Sequence, residues 1–332
     1  MPVDSFVFYR TFLPSLCGLD DPVVLSFDNT AFLNAYAEDE TGMPQHFIHS
    51  GNFFSRPYST KPELRTKERV LALQEELINA KTAGFITLNV PVSCEIKTPI
   101  WEYARDIRVR ALEQSLSAAV WARDRATRPD LLYAGFEVGT YSDALYIFDK
   151  ALKVNFTRLS AGFGLFSRFS KFRAEDRIKQ FEVLAAYNRL LREHGDMRFH
   201  ASGGSALNML ELLAYSSVSS ADGSSAVLAG LAYGSVLTTS GRLIRANKLE
   251  KWKCECGFCA SRSQRDALTE LKCSPEARVT HNIHVIRSAE ARINEALKDN
   301  TIAELTEKRL KEYDRKELWK CYAIVREQKP RV

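Results

Sequence analysis

"MRFHASGG" at 197–204 and "SSVSSADG" at 216–223 share one shape: a short β-prone run that stops on polar or glycine residues. The shape recurs upstream in "PVVLSFD" (22–28), "GFITLNV" (84–90), "LLYAGFEVG" (131–139) and "TRLSAGFG" (157–164). Longer stretches with apolar residues at three-to-four spacing predict helices over 63–81, 100–125, 174–194 and 290–313. Short strands alternating with helices are the rhythm of β/α units and a parallel sheet. The strands run into Asp28, Asn89, Glu137, Gly162 and Asp222. Chemistry-bearing residues collected at strand ends predict an α/β fold of the TIM (β/α)8 type, in which those ends carry the site and the helices enclose the outside. A doubly wound open sheet is the alternative, but no G-x-G-x-x-G follows the first strand. No internal repeat or low-complexity segment stands out.

The composition is that of an ordinary globular chain, with 332 residues, 45% hydrophobic and 26% charged. Such a chain has core enough for a large domain plus an appendage. No apolar run reaches membrane-spanning length, and "MPVDSFVFYRTFLP" lacks the basic start and apolar stretch of a secretion signal, so a cytoplasmic protein is expected. The net charge of +5 permits a polyanionic partner without demanding one. Cys17, Cys94, Cys273 and Cys321 are scattered, as reduced thiols are.

The remaining cysteines are not scattered. "KWKCECGFCA" (251–260) holds Cys254, Cys256 and Cys259 in a C-x-C-x2-C arrangement. One intervening residue is too little chain for a relaxed disulfide between Cys254 and Cys256. A tetrahedral metal suits the pattern and needs one more ligand. Cys273, His281 and His284 all come within "LTELKCSPEARVTHNIHVIRSAEARINEAL" (268–297), and spacing alone does not choose among them. In a chain this long the metal would fix a local lobe rather than the whole fold. The expected organisation is a barrel over 1–240, a metal lobe over 241–285, and helices completing the barrel over 286–332.

The run from His200 through "KWKCECGFC", followed by "RVTHNIHVIRSAEARINEAL" (278–297), resembles the C-terminal half of the tRNA-guanine transglycosylase superfamily. That family has a histidine-glycine strand, a strand ending in a nucleophilic aspartate, a β-rich segment, C-x-C-x2-C and a later His-Asn. The resemblance implies structural zinc on Cys254, Cys256, Cys259 and His281, and a nucleophile at Asp222. In the N-terminal half "VVLSFDNTAF" is similar to the family's Asp-Ser-Gly-Gly-Phe turn, which puts Asp28 at the general acid/base, with Asn29-Thr30-Ala31 in place of Ser-Gly-Gly. "TLNVP" looks like Leu-Asp-Ile-Pro with Asn89 where an aspartate reads the base, and "AGFEVGTYSDAL" puts Glu137 where a glutamine is usual, with Gly139 at a glycine. "LSAGFG" stands at a Gly-Gly-Leu turn, making Gly162 and Phe163 base contacts by the same resemblance.

The chemistry asks for such residues under any name. Exchange of a base at C1′ needs a carboxylate to trap the sugar and a second acid to manage the base's protons. The superfamily includes tRNA enzymes and a DNA-acting branch, called DpdA. Departures at Asn29–Ala31, Asn89 and Glu137, and a chain closing on "REQKPRV" without an appended RNA-binding domain, point to DNA as the expected partner and tRNA as the alternative. A free 7-deazaguanine of the preQ0 kind would be the second substrate, and a homodimer is implied by resemblance only. Arg242, Arg245, Lys248, Lys251, Lys253, Arg262 and Arg265, beside the cysteines, are candidate phosphate contacts. A non-catalytic subunit of the same fold and an unrelated zinc-knuckle module are the competing readings.

Overall fold

The computed structural model describes residues 5–11, 23–26, 45–50, 66–92, 98–162, 174–203 and 207–328. Eight short parallel strands succeed one another around a closed ring: β1 (Val7–Thr11), β2 (Val23–Ser26), β3 (His46–His49), β4 (Thr82–Ile86), β5 (Leu132–Phe136), β6 (Arg158–Gly162), β7 (Arg198–Ser202) and β8 (Ser220–Gly223). The ring closes where β8 pairs β1, with Val7 opposite Ser220 and Tyr9 opposite Asp222. Helices come after six of these strands: α1 (Lys67–Glu75), α2 (Arg105–Arg123), α3 (Tyr141–Lys153), α4 (Ala174–His194), α5 (Leu207–Tyr215) and α6 (Ser225–Leu231). The segments after β1 and β2 lie outside the described residues. The fold is therefore α/β with a curled parallel sheet.

Local chemistry starts the elements where expected. Thr66 and Thr140 cap α1 and α3, their hydroxyls accepting from the backbone N–H of Arg69 and Asp143. All five residues of β5, "LYAGF", are buried, as a parallel strand covered on both faces requires. Tyr9, Phe47, Ile86 and Tyr133 form a separate apolar cluster contributed by four strands of the ring. The main core lies between the strands and the helices and includes Phe136, Phe148, Phe199 and Tyr187.

After α6 the chain leaves the alternating pattern. An antiparallel hairpin, β9 (Ser235–Leu237) with β10 (Leu243–Arg245), leads to the short helix α7 (Gly257–Ala260) and to α8 (Gln264–Cys273). The long α9 (Pro275–Lys298) then packs on α6 and is followed by α10 (Ile302–Tyr313) and α11 (Lys316–Gln328). Asn294 pins α9 to the start of the barrel, accepting from Phe6 N–H at 2.7 Å and donating to Phe6 O at 3.0 Å. A buried ion pair joins α10 to α5, with Arg309 Nε 3.2 Å from Glu211 Oε1, and Arg309 also donates to the carbonyl of Thr239 in the hairpin turn.

Several boundaries differ from the sequence expectation. The helix predicted over 290–313 is two helices, broken where Asn300 adopts a left-handed φ of 56°. The lobe boundary expected at 285 falls inside α9, which runs unbroken from Pro275 to Lys298, so lobe and barrel wall share one helix. Strands β1 and β3 have no counterpart among the predicted strands. Among the described residues no helix is long and apolar enough to cross a membrane.

Candidate active site and metal centre

Strands of the ring, neighbouring and distant, bring their polar side chains together. Asp222, the third residue of β8, is 4% exposed, and its carboxylate gathers three groups from two other strands and a turn. His200 of β7 places Nε2 2.9 Å from Oδ2, and His49 of β3 places Nε2 3.3 Å from the same oxygen. Gly203, just past β7, donates its backbone N–H to Oδ1 at 2.6 Å. That turn needs glycine, since Gly203 has φ 79°, a region L side chains rarely occupy. Beneath the carboxylate, His200 stacks on Phe47 with ring centroids 4.0 Å apart and planes 8° from parallel. Its Nδ1 lies 2.8 Å from Ser220 Oγ.

These contacts set the electrostatics. Burial alone would raise the pKa of Asp222, but the hydrogen bonds from His200 and His49 outweigh it and hold the carboxyl well below the usual range. Burial pushes His200 below its ordinary 6.5, against the pull of Asp222, so the ring is neutral. A neutral imidazole has one N–H, and an ionised carboxylate can only accept. His200 therefore donates from Nε2 to Asp222 and accepts at Nδ1 from the Ser220 hydroxyl. The product is a fixed, ionised, nearly water-excluded carboxylate at the C-terminal end of a barrel strand.

The other candidate residues end neighbouring strands or lie just past them. Asn89, half-buried after β4, accepts from Ser50 Oγ at 2.9 Å. Glu137, buried after β5, accepts from Val92 N–H at 3.2 Å. Gly162 closes β6 opposite Ser202, whose hydroxyl lies 3.1 Å from that of Ser160. Gly139 is buried against another stretch of chain, where a Cβ would lie 2.7 Å from Ile100 Cγ2 and 3.0 Å from Trp101 N; close packing of backbone accounts for that glycine. Asp28 and Phe163 lie outside the described residues. His49, His200 and Ser220 are site residues that the sequence reading missed. Their only signal is positional, since His49 and His200 sit on strands and Ser220 two residues before Asp222, on the same face.

In the lobe the ligand atoms of Cys254, Cys256, Cys259 and His281 all lie within 4.8 Å of one another and can hold a metal ion. The donor set fits one. His281 Nε2 donates to Leu237 O at 2.9 Å, which leaves Nδ1 without a proton and facing the thiols, 3.2 Å from Cys256 Sγ and 3.5 Å from Cys259 Sγ. A tetrahedral zinc with Zn–S about 2.3 Å and Zn–N about 2.0 Å separates sulfur from nitrogen by about 3.5 Å. Donors aimed at the sulfurs from outside support negative charge there: Trp252 Nε1–H reaches Cys259 Sγ at 3.3 Å and Cys256 N–H reaches Cys254 Sγ at 3.5 Å. Hydrogen bonds from the Cys256 and Cys259 thiols lower the pKa of Cys254 and raise their own in return. The alternative ligands are elsewhere: Cys273 is exposed at the end of α8, and His284 packs where Gly257 leaves room.

The lobe is fixed at the height of the carboxylate. Asn282, next to the ligand His281, donates to Ala226 O at 2.9 Å and accepts from Leu237 N–H at 2.7 Å. Ala226 lies just past the end of β8. Along α9 the run from Asn282 to Asn294 rises about 18 Å, close to the roughly 17 Å of a five-residue strand. The hairpin and metal cluster thus stand beside the C-terminal ends of the strands. Arg242, Arg245, Lys248, Lys251, Lys253, Arg262 and Arg265, all from the lobe, are exposed. Arg262 is committed within the lobe, to Glu270 Oε2 at 3.0 Å and to the face of Phe258 at 4.0 Å. Arg245 donates to Tyr233 O. No protein-family model matches the chain, and no curated protein matches it in sequence.

Proposed function

We propose that the protein is a base-exchanging pentosyltransferase, a DNA-guanine transglycosylase that replaces guanine with a 7-deazaguanine of the preQ0 kind. The barrel is then of the TIM (β/α)8 type, and the metal of the lobe is zinc. One observation carries the reading: a buried carboxylate, kept ionised by its neighbours, at the end of a barrel strand. That is where such folds put their chemistry, and an anionic oxygen is what an oxocarbenium-like C1′ requires.

In the first step an oxygen of Asp222 bonds to C1′ while the C1′–N9 bond breaks, its electron pair leaving with guanine, which takes a proton from a second acid. The incoming base then attacks C1′ through nitrogen, the ester electrons return to Asp222, and the second group removes the base's proton. Asp28 is assigned that second role by resemblance, and Asn89, Glu137, Gly162 and Phe163 the reading of the base. Gly139 keeps a structural part. Zinc on the four lobe ligands would cross-link the lobe and supply no chemistry at C1′.

DNA is favoured over tRNA by the substitutions at Asn29–Ala31, Asn89 and Glu137 relative to the tRNA enzymes. A base in a duplex must be flipped out at a cost of roughly a few kcal/mol, and Arg242, Lys248, Lys251, Lys253 and Arg265 carry the charge to hold phosphates meanwhile. The test is incubation with labelled 7-cyano-7-deazaguanine and either duplex DNA or tRNA. Label is expected in DNA, and none after Asp222→Ala. Label in tRNA alone would reassign the substrate, and label surviving the substitution would remove Asp222 from the reaction.

A further inference from the structure

We infer that His200 and His49 are positioning residues that hold Asp222 by Oδ2 and leave Oδ1 as the oxygen presented to the sugar. What Asp222 attacks rests on the transglycosylase reading; the hold is read from geometry alone.

A carboxylate oxygen offers two lone-pair directions in its plane. Both on Oδ2 are taken, by imidazole nitrogens at 2.9 and 3.3 Å. Among the described residues Oδ1 receives a single backbone N–H, from Gly203, which leaves its second direction for the sugar. His200 cannot turn away, because its ring is 0% exposed, is stacked on Phe47 and is fixed at Nδ1 by Ser220. His49 is the looser hand, with a side chain 26% exposed.

Neither imidazole is placed to protonate the departing base. Displacement at carbon puts nucleophile and leaving group on opposite faces, and both rings are engaged with the nucleophile's own carboxylate, at Oδ2. Their effect falls on the carboxylate itself. Donors on Oδ2 stabilise the free anion over the ester, so they help Asp222 depart when the incoming base attacks. Losing them slows the second half of the exchange more than the first. This reverses the usual serine–histidine–carboxylate order of service, since here a serine orients a histidine that orients the carboxylate.

The test uses the full, metal-loaded chain with His200→Phe, His200→Gln and Ser220→Ala, each checked by thermal melting. Turnover with guanine-containing DNA and labelled base is measured beside the fraction of protein trapped as a covalent DNA adduct on a denaturing gel. His200→Phe, which keeps a ring against Phe47, is expected to lower turnover about 10- to 100-fold, the worth of one hydrogen bond to a charged group, while the adduct fraction rises. His200→Gln, whose amide N–H can reach the same oxygen, should recover most of the turnover. Ser220→Ala touches no atom of Asp222 and should fall between them; it carries the test if His200→Phe does not fold. Equal turnover in all variants, or loss of adduct in step with turnover, would overturn the inference. Long-range proton–nitrogen NMR of the His200 ring is the readout independent of activity. A proton on Nε2 supports the hold and a proton on Nδ1 overturns it, even if the wild type forms neither adduct nor product and the transglycosylase reading fails.

Discussion

The barrel mouth and the lobe each draw polar side chains onto one point, and they do so with opposite polarity. At the mouth a single acceptor, Asp222, is surrounded by donors from His200, His49 and Gly203. In the lobe three sulfurs and the Nδ1 of His281 all turn lone pairs inward, and the donors stand outside. The first cluster satisfies itself with protons the chain already carries. The second brings three thiols that share protons among themselves onto one imidazole nitrogen, and a cation that displaces those protons completes it. A cluster made whole by its own hydrogen bonds can be kept for reaction, whereas one that needs an ion is kept for shape.

The largest expected effect tests the lobe. Chelation, or Cys256→Ser, should take metal content from one per chain to near none and open residues 241–274 to protease, because structural zinc contributes about 10–16 kcal/mol in isolated fingers. An unchanged digestion pattern would break the contrast. Next, Asp222→Ala should cost about 3 kcal/mol in urea unfolding, since the N–H groups of His200 and Gly203 are left buried without an acceptor, and Asp222→Asn should cost less because its amide oxygen still accepts.

The pH dependence sharpens the comparison. His200 has a folded pKa below 6.5, so as pH falls past 6.5 the unfolded chain takes the proton first and stability declines; above that value its contribution is whole. Asp222, depressed below 3.8, adds stability that is complete above 3.8 and lost as pH falls further. Urea melts from pH 8 to 3 should therefore show a plateau, a decline of up to about 1.4 kcal/mol per pH unit for each such group, and a second decline in acid. His200→Gln should remove its share of the first. Smaller again, Trp252→Phe deletes a donor to Cys259 and should weaken metal affinity about 10-fold by competition with a chromophoric chelator. Smallest, Gly203→Ala should cost about 1 kcal/mol from its left-handed backbone, with a matching rise in unfolding rate.

How much of the molecule is legible in its sequence tracks how local each signal is. The C-x-C-x2-C triplet lies within six residues, so its convergence comes from chain connectivity, and a nearby fourth ligand had to exist. Choosing His281 over Cys273 or His284 needs the direction in which α9 points each ring, which spacing does not supply. Strand ends at Asn89, Glu137, Gly162 and Asp222 are legible because short apolar runs stop there. The partners of Asp222 are not, because His200 meets it from the neighbouring strand β7, whose register on β8 spacing does not supply, and His49 reaches it from β3, on another part of the closed ring and far away in sequence. The break at Asn300 is hidden for a different reason: its flanks, "EARINEALKD" and "AELTEKRLKEY", carry one continuous helical pattern, and a single left-handed residue interrupts it.

Helix α9 carries His281 near one end and Asn294, the anchor on Phe6, near the other. With no break between them it acts as a strut, and the lobe cannot rise or sink relative to the start of the barrel unless that helix unwinds. On the proposed reading, a nucleic-acid strand gripped by the lobe would meet the carboxylate at a set offset, like work clamped to a bench with a built-in ruler.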